Sequence, residues 1–171
     1  QTTAEAIYRP MSKSSWAYPE NCTPYYPYIG GVIPENLDLV NPNYVDFIES
    51  IGKTSGQKLT EEEQYAFLRY LIVELGGYEE GSDGIYYKGK DKLNYTFTIA
   101  GQETDHPAWR AMNHAMEILN KVGFNVKVVT DANALSKLSS GALTVWAAAW
   151  GSTIDPDMYQ VYHKDSSATS V

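Results

Sequence analysis

The sequence has 171 residues, 43% of them hydrophobic and 20% charged, which is typical of a globular protein with a core. Its net charge of −8, with 13 basic residues scattered along the chain, argues against nucleic acid and anionic membranes as partners. The single cysteine, Cys22, excludes an internal disulfide and makes no zinc site, and the sequence indicates no cofactor.

Residues 1–58 differ in composition from the rest of the chain. They hold six of the eight prolines, and proline in such density blocks both helices and central strands. We expect an extended Pro/Tyr-rich segment that Tyr and Trp rings pack onto the remaining residues, 59–171. One short helix is predicted at residues 44–51, ended by Gly52.

A clear helix is predicted after Leu59. Thr60 and Glu63 have the spacing of a capping box. The apolar face is formed by residues at helical spacing, and Gly76-Gly77 ends the helix. These residues are Leu68, Leu71, Ile72 and Leu75.

The stretch "GIYYKGKDKLNYTFTIAG" is predicted to form a β-hairpin. Its second arm alternates apolar and polar residues, so one face of that arm should be buried. Leu93, Tyr95, Phe97 and Ile99 are the apolar set.

Two more strands and two helices are predicted in the second half of the chain. Asp105 or His106 caps the next helix, with Pro107 near its first position, and Gly123 ends it. Its core-facing stripe comprises Trp109, Met112, Met116 and Leu119. "NVKVV" is a strand, and Asp131 caps a short helix that Gly141 stops. "LTVWAAAW" is apolar on both faces and predicts a central strand.

Strands and helices that alternate at this spacing imply right-handed crossovers and a mostly parallel sheet flanked by helices. The predicted fold class is therefore α/β, in one domain.

Several polar groups are candidates for chemistry, each with a structural alternative. Glu103, Asp105 and His106 follow a predicted strand, where ligands gather in α/β sheets, but helix capping is favoured. Asp155 and Asp157 could pair as catalytic carboxylates, but capping of residues 158–163 by Asp157 is favoured. The three histidines lack metal-binding spacing, and the common nucleotide and hydrolase motifs are missing, so no catalytic residue or metal ligand is assigned.

The order of motifs resembles the C-terminal lobe of family 5 extracellular solute-binding proteins, the oligopeptide, dipeptide and nickel receptors of ABC importers. The family has a helix with "EAGY" and "DG", a strand, a helix ending in "KIG" before another strand, and "GW" followed by "DP". Here the matching residues are 74–78, Asp83-Gly84, 121–123, Trp150 and Asp155-Pro156. The stretch "PMSKSSWAYPE" is similar to the segment that leads into this lobe.

The resemblance implies a type II periplasmic-binding-protein-like lobe, excised from a two-lobed receptor that clamps its ligand. It would be a monomeric, non-enzymatic importer component that docks on permease subunits and binds a peptide or similar solute. It would be extracellular or periplasmic, and held by a lipid anchor in its full-length form. A metal-chelate or haem receptor within the family has no support from the histidines.

The resemblance also implies a ligand site in the loop after Trp150. Trp150 would provide an apolar wall, and the backbone and hydroxyls of Gly151, Ser152 and Thr153 would provide hydrogen bonds. Asp155 and Trp146 complete the expected set. Peptide-binding members often carry an Asp at the position of Thr153, where it pairs with the peptide's α-amino group, so a free-amine peptide needs a carboxylate from elsewhere.

A different class of function stays open. A small carbohydrate-active or other hydrolase domain would use Asp155, Asp157 or Glu103 with aromatic platforms. It would need two carboxylates about 5–10 Å apart across a cleft and a carboxyl group of raised pKa.

Overall fold

The computed structural model describes residues 11–20, 25–101, 108–148, 157 and 159–166, with only the backbone of residues 160 and 161. The chain falls into two compact units. The first, called the helical unit here, comprises Pro19–Lys92 with Lys121–Gly123. The second, the sheet unit, comprises Leu93–Asn120, Phe124–Val171 and the N-terminal residues to Tyr18. These boundaries differ from the predicted division at residue 58, which stays a prediction.

The helical unit begins with a helix, α1, at Pro42–Ser50. The Asn41 side chain caps it by accepting a hydrogen bond from the Asn43 N–H at 2.9 Å. Pro42 suits the first helical position because its missing N–H would have no partner there. The predicted helix at residues 44–51 is confirmed, and it starts two residues earlier.

The second helix, α2, spans Glu61–Tyr70 and continues into a π-helical turn at Leu71–Leu75. Its capping box is complete: the Glu63 N–H donates to Thr60 Oγ1 at 3.2 Å, and the Thr60 N–H donates to Glu63 Oε2 at 2.7 Å. The helix ends at Gly76-Gly77, where Gly77 has φ 68°. The predicted capping box and stop are both confirmed.

Aromatic packing holds the core of the helical unit. The Phe67 ring is fully buried, 5.3 Å from the Tyr44 ring centroid and 5.1 Å from that of Phe47. Most of this core comes from residues before 58; its members are Ile33, Val40, Tyr44, Phe47, Ile48, Leu59 and Phe67. The expectation that Tyr and Trp rings pack the leading segment down is wrong for the exposed rings of Trp16, Tyr25 and Tyr28.

A small antiparallel sheet completes the helical unit. Its strands are β1 (Glu79–Glu80), β2 (Tyr86–Lys88) and β3 (Asp91–Lys92). The predicted hairpin is confirmed only as the β2–β3 pair. Its second arm divides at Leu93, because the next residues pair with parallel strands elsewhere.

The described residues of the sheet unit form three parallel strands in the order β5-β4-β6. They are β4 (Asn94–Ala100), β5 (Asn125–Asp131) and β6 (Val145–Ala147). The predicted parallel sheet is confirmed, but the central strand is β4 and not the strand of "LTVWAAAW". β6 pairs through three residues only, and it pairs with β4 alone among the described strands.

Both faces of β4 are covered toward its carboxyl end. Thr98 is 4% exposed and Ile99 is fully buried. The prediction that one face of this arm is buried is therefore wrong from Thr98 onward. The helix α4 (Ala134–Ser139) contacts β4.

Helices connect the three strands. α3, Ala108–Lys121, runs between β4 and β5, and its predicted stripe from Trp109 to Leu119 is half-buried. α4 runs between β5 and β6. Its cap residue is Asn133 and not Asp131, whose Oδ1 instead accepts from the Asn133 N–H at 2.8 Å. A last short helix, α5, spans Tyr159–Tyr162.

Candidate functional site

The topology of the parallel sheet marks one end of it as a candidate ligand site. From β4 the chain crosses to β5 on one side, and from β5 it passes back beyond β4 to β6. Right-handed crossovers in opposite directions place their helices on opposite faces, and the crevice between β4 and β6 is then the topological switch point. Ligands of open α/β sheets bind at the carboxyl ends of the strands at such a point.

The chain segments that follow β4 and β6 lie outside the described residues. They include five of the six residues predicted to bind ligand: Trp150, Gly151, Ser152, Thr153 and Asp155. The acidic candidates Glu103 and Asp105, and also His106, lie outside them too. The roles predicted for these residues therefore stay predictions. The topology shows only where the two segments that carry them begin, at the carboxyl ends of β4 and β6.

The sixth predicted residue, Trp146, lies in the middle of β6. It is in register with Thr98 of β4, and Thr98 is in register with Val129 of β5. Neighbouring residues in register on parallel strands share a face, so these three side chains lie on one face. The Trp146 side chain is half-buried, one residue before the end of its strand.

Asp131 lies at the same end of the sheet. The sequence predicted it only as a helix cap. It closes β5 opposite Ala100, and its Oδ2 accepts from Lys137 Nζ of α4. Hydrogen bonds from Lys137 and from the Asn133 N–H lower the pKa of the Asp131 carboxyl group. The sequence offered one signal for Asp131, because it is an ionisable residue close to the carboxyl end of a predicted strand.

Gly101, the residue after β4, is joined to Asp131 by a backbone hydrogen bond. The Gly101 N–H donates to the Asp131 carbonyl oxygen at 3.1 Å. Among described atoms, none lies within 4 Å of where a Cβ on Gly101 would stand. A side chain at Gly101 would therefore contact no described residue.

Two concavities of the described surface lie away from this end of the sheet. One, of about 260 Å³, is at the amino ends of β4 and β5, and its lining comprises Asn94, Tyr95, Thr96, Asn125 and Lys127. The other, of about 550 Å³, surrounds the hairpin of the helical unit and includes Asp83, Tyr87 and Lys92. Neither involves a predicted ligand-binding residue.

The catalytic alternative gains no residue from the structure. Asp157 Oδ1 accepts from the Tyr159 N–H at 2.9 Å, which confirms the predicted capping of this helix. Of the other two candidate carboxylates, Glu103 and Asp155, nothing is described.

The described part of the chain offers neither a metal cluster nor a membrane span. It contains no group of three or more His, Cys, Asp or Glu side chains that could hold a metal ion. His114 and His163 are exposed. Within the same residues no helix has the length and hydropathy to cross a membrane.

No sequence-family model matches the chain, and no curated protein does. Solved structures do match it. The oligopeptide-binding protein AppA from Bacillus subtilis, in complex with a nonapeptide, superposes with a TM-score of 0.60 at 18% identity, over 93% of this chain. The chain has the fold of part of a family 5 extracellular solute-binding protein. It spans 25% of the Bacillus protein's length.

Two further solute-binding structures match more weakly. NikZ from Campylobacter jejuni, in complex with Ni(L-His), has a TM-score of 0.41 at 18% identity, covering 60% of this chain and 19% of NikZ. The oligopeptide-binding protein from Thermus thermophilus, complexed with a pentapeptide, has a TM-score of 0.42 at 19% identity, covering 58% of this chain and 17% of that one. The predicted α/β fold of a type II binding-protein lobe is confirmed by the AppA match.

Proposed function

We propose that this chain forms part of one lobe of a solute receptor that delivers peptides or similar extended solutes to an ABC importer. The observation that carries the proposal is the AppA superposition, which covers 93% of this chain and involves a protein solved with a bound nonapeptide. The ligand would lie at the carboxyl ends of β4 and β6, where the topology favours a crevice. The receptor binds and releases its solute without catalysis.

The loop after β6 is the proposed contact surface. Trp150 would give the ligand an apolar wall, and Gly151, Ser152 and Thr153 would give it hydrogen bonds. Trp146 lies in β6, the strand that precedes this loop. Asp155 belongs to the same loop and would border the ligand.

The rest of the receptor follows from this role. Its second lobe would close over the ligand, and permease subunits would accept the loaded, monomeric receptor. The receptor would work outside the cytoplasmic membrane, held there by a lipid anchor. Within this chain, residues 1–58 would lead into the lobe formed by residues 59–171.

Ligand binding by the full-length receptor that contains this chain tests the proposal. Thermal unfolding would be followed with pools of free peptides, oligosaccharides and metal chelates, because a ligand that binds only the folded state raises the midpoint temperature. We expect stabilisation by the peptide pool, its loss in Trp150→Ala and its retention in Trp16→Ala, where the replaced ring is 83% exposed.

Two results would overturn the proposal. One is the absence of any stabilising peptide for the intact receptor. The other is turnover of a substrate by the 171-residue chain alone, which would make the hydrolase hypothesis the better one.

A further inference from the structure

β5 lies at an outer edge of the parallel sheet. Among the described strands it pairs with β4 alone, so its other side carries backbone N–H and C=O groups that no described strand pairs with. An edge strand of seven residues is a template on which a strand of another chain can pair. The sequence "NVKVVTD" favours such pairing, because β-branched residues form strands readily. A monomeric protein therefore needs a means of keeping this edge closed.

The backbone groups of alternate residues of β5 face this edge. The Asn125 N–H donates to the carbonyl oxygen of Leu93, the residue before β4, at 2.9 Å. Because successive residues of a strand point their backbone groups to opposite sides, those of Val126 face away from β4. The groups of Val128 and Thr130 face the same way. Three residues of β5 therefore present their backbone to the edge.

The Asn120 side chain occupies the first of these three positions. Its Oδ1 accepts from the Val126 N–H at 2.7 Å, and its Nδ2 donates to the Val126 carbonyl oxygen at 3.0 Å. A carboxamide has the same kinds of donor and acceptor as a peptide group, so Asn120 satisfies Val126 as a residue of a neighbouring strand would. An added strand cannot bind Val126 while the Asn120 side chain is there.

A charged side chain lies next to this closed position. Lys127 follows Val126 along β5, and its side chain is exposed and has no ion-pair partner among the described residues. Lysine on an edge strand disfavours pairing with another strand. Asn120 and Lys127 therefore act against an added strand at the same half of the edge.

We propose that Asn120 closes the edge of β5 against a strand of a second copy of this chain, and that this contact keeps the receptor monomeric. The excluded partner is a second copy because identical edges can pair with each other, and symmetric dimers are the commonest homo-oligomers. The inference goes beyond solute binding and requires no ligand. The alternative is that the two hydrogen bonds only tie α3 to β5 and stabilise the fold.

The test measures the mass of the full-length receptor by sedimentation equilibrium over a range of concentrations. The buffer contains about 0.15 M salt, which screens repulsion between charged surfaces. The natural receptor should have the mass of one chain throughout. Asn120→Ala removes both hydrogen bonds, so its average mass should rise with concentration towards that of two chains. Asn120 is exposed near the end of α3, where alanine is compatible with the helix.

Asn113→Ala is the matched control for the loss of an asparagine from this helix. The Asn113 side chain donates to the Trp109 carbonyl oxygen at 2.8 Å, a bond within α3. Its removal leaves the edge of β5 closed. This variant should keep the mass of one chain at every concentration.

Asn120→Asp separates a closed edge from a stable fold. It keeps the acceptor for the Val126 N–H, loses the donor to the Val126 carbonyl oxygen and places a charge at the edge. Its urea midpoint should fall as that of Asn120→Ala does, because both variants leave a hydrogen bond unmade. Its mass should nevertheless stay that of one chain. Lys127→Thr, added to Asn120→Ala, removes the remaining charge from the edge and should strengthen the association.

Three results would overturn the proposal. One is a monomeric Asn120→Ala, which would leave Asn120 only as a tie between α3 and β5. Another is equal association of Asn120→Ala and Asn120→Asp, which would assign the association to lost stability. The third is a natural receptor that already forms dimers. None of these results bears on solute binding, so the proposed function stands or fails on its own test.

Discussion

The ring of Tyr86 lies against the backbone of Gly123. A Cβ built on Gly123 would stand 2.1 Å from Tyr86 Cδ2, closer than any two carbon atoms can approach without a covalent bond. The Tyr86 N–H also donates to the Gly123 carbonyl oxygen at 2.9 Å. Within the helical unit, Gly123 is therefore fixed to β2 by both a ring contact and a backbone hydrogen bond.

We predict that Gly123→Ala destabilises the protein by about 2 kcal/mol or more. Gly123 has φ 110°, where a side chain is strained, and the added methyl group also collides with the Tyr86 ring. Urea unfolding would measure the loss as a lower midpoint.

Gly84→Ala is the control for this prediction. Gly84 also has a positive φ, 77°, but no described atom lies within 4 Å of its added Cβ. Gly84→Ala should lower the free energy of unfolding only by the cost of a side chain at positive φ, about 1 kcal/mol. Equal losses in the two variants would show that the contact with Tyr86 contributes nothing.

A second prediction concerns the core of the helical unit. Phe67→Ala removes a fully buried ring that contacts Tyr44 and Phe47, and should cost about 3–5 kcal/mol. Leu75→Ala, in the turn that continues the same helix, should cost far less because Leu75 is 48% exposed. Chemical unfolding of both variants measures the two losses of unfolding free energy. A larger loss in Leu75→Ala than in Phe67→Ala would contradict the prediction.

The contrast between Phe67 and Leu75 shows what the sequence could predict in this helix. The capping box and the Gly-Gly stop indicated its position correctly, because they are local signals. The apolar face assigned to Leu68, Leu71, Ile72 and Leu75 omitted Phe67. Part of the reason is the π-helical turn at Leu71–Leu75, which departs from the 3.6-residue period on which that face was based.

The sheet was predictable in class but not in detail. Alternating strands and helices were enough to predict parallel pairing. The division of one apparent hairpin arm at Leu93 was not predictable, because strand partners far along the chain, at Asn125 and beyond, decide it. The alternation of buried and exposed residues along β4 likewise fails at Thr98, which is buried although the pattern places it on the exposed face.

The ligand-binding residues were assigned only through the resemblance, and their role stays a prediction. Trp150 and the polar residues after it stood out because the order of motifs matched a family. Asp131 did not, since an Asp before a short helix is usually interpreted as a cap. Only the register of β5 with β4 shows that Asp131 shares a face and a sheet edge with Trp146.

A third prediction tests which strand is central. Ile99→Ala in β4 removes a fully buried side chain and should cost about 2–5 kcal/mol. Thr96→Ala, on the exposed part of the same strand, should change stability by less than about 0.5 kcal/mol. If Val145→Ala in β6 were more costly than Ile99→Ala, the assignment of β4 as the central strand would be wrong.

A fourth prediction concerns pH and the hairpin of the helical unit. Lys92 Nζ donates to Asp83 Oδ2, and this bond, with one from the Ile85 N–H, lowers the pKa of Asp83 below its ordinary 3.8. A carboxyl group with a lower pKa in the folded state binds fewer protons there than in the unfolded chain. Its stabilisation is therefore present above the unfolded pKa and is lost as the pH falls through the folded pKa.

The difference in urea midpoint between the natural protein and Asp83→Asn separates the contribution of Asp83 from that of the other acidic groups. We expect the urea midpoint of the variant to be lower at about pH 6 and the difference to vanish below the folded pKa of Asp83. Added salt should reduce the difference at the higher pH, because both side chains are at least 40% exposed. Lys92→Met should lose the larger part of this pH dependence and keep the part due to the Ile85 N–H. A difference between the natural protein and Asp83→Asn that persists in acid would show that the charge of Asp83 is not its cause.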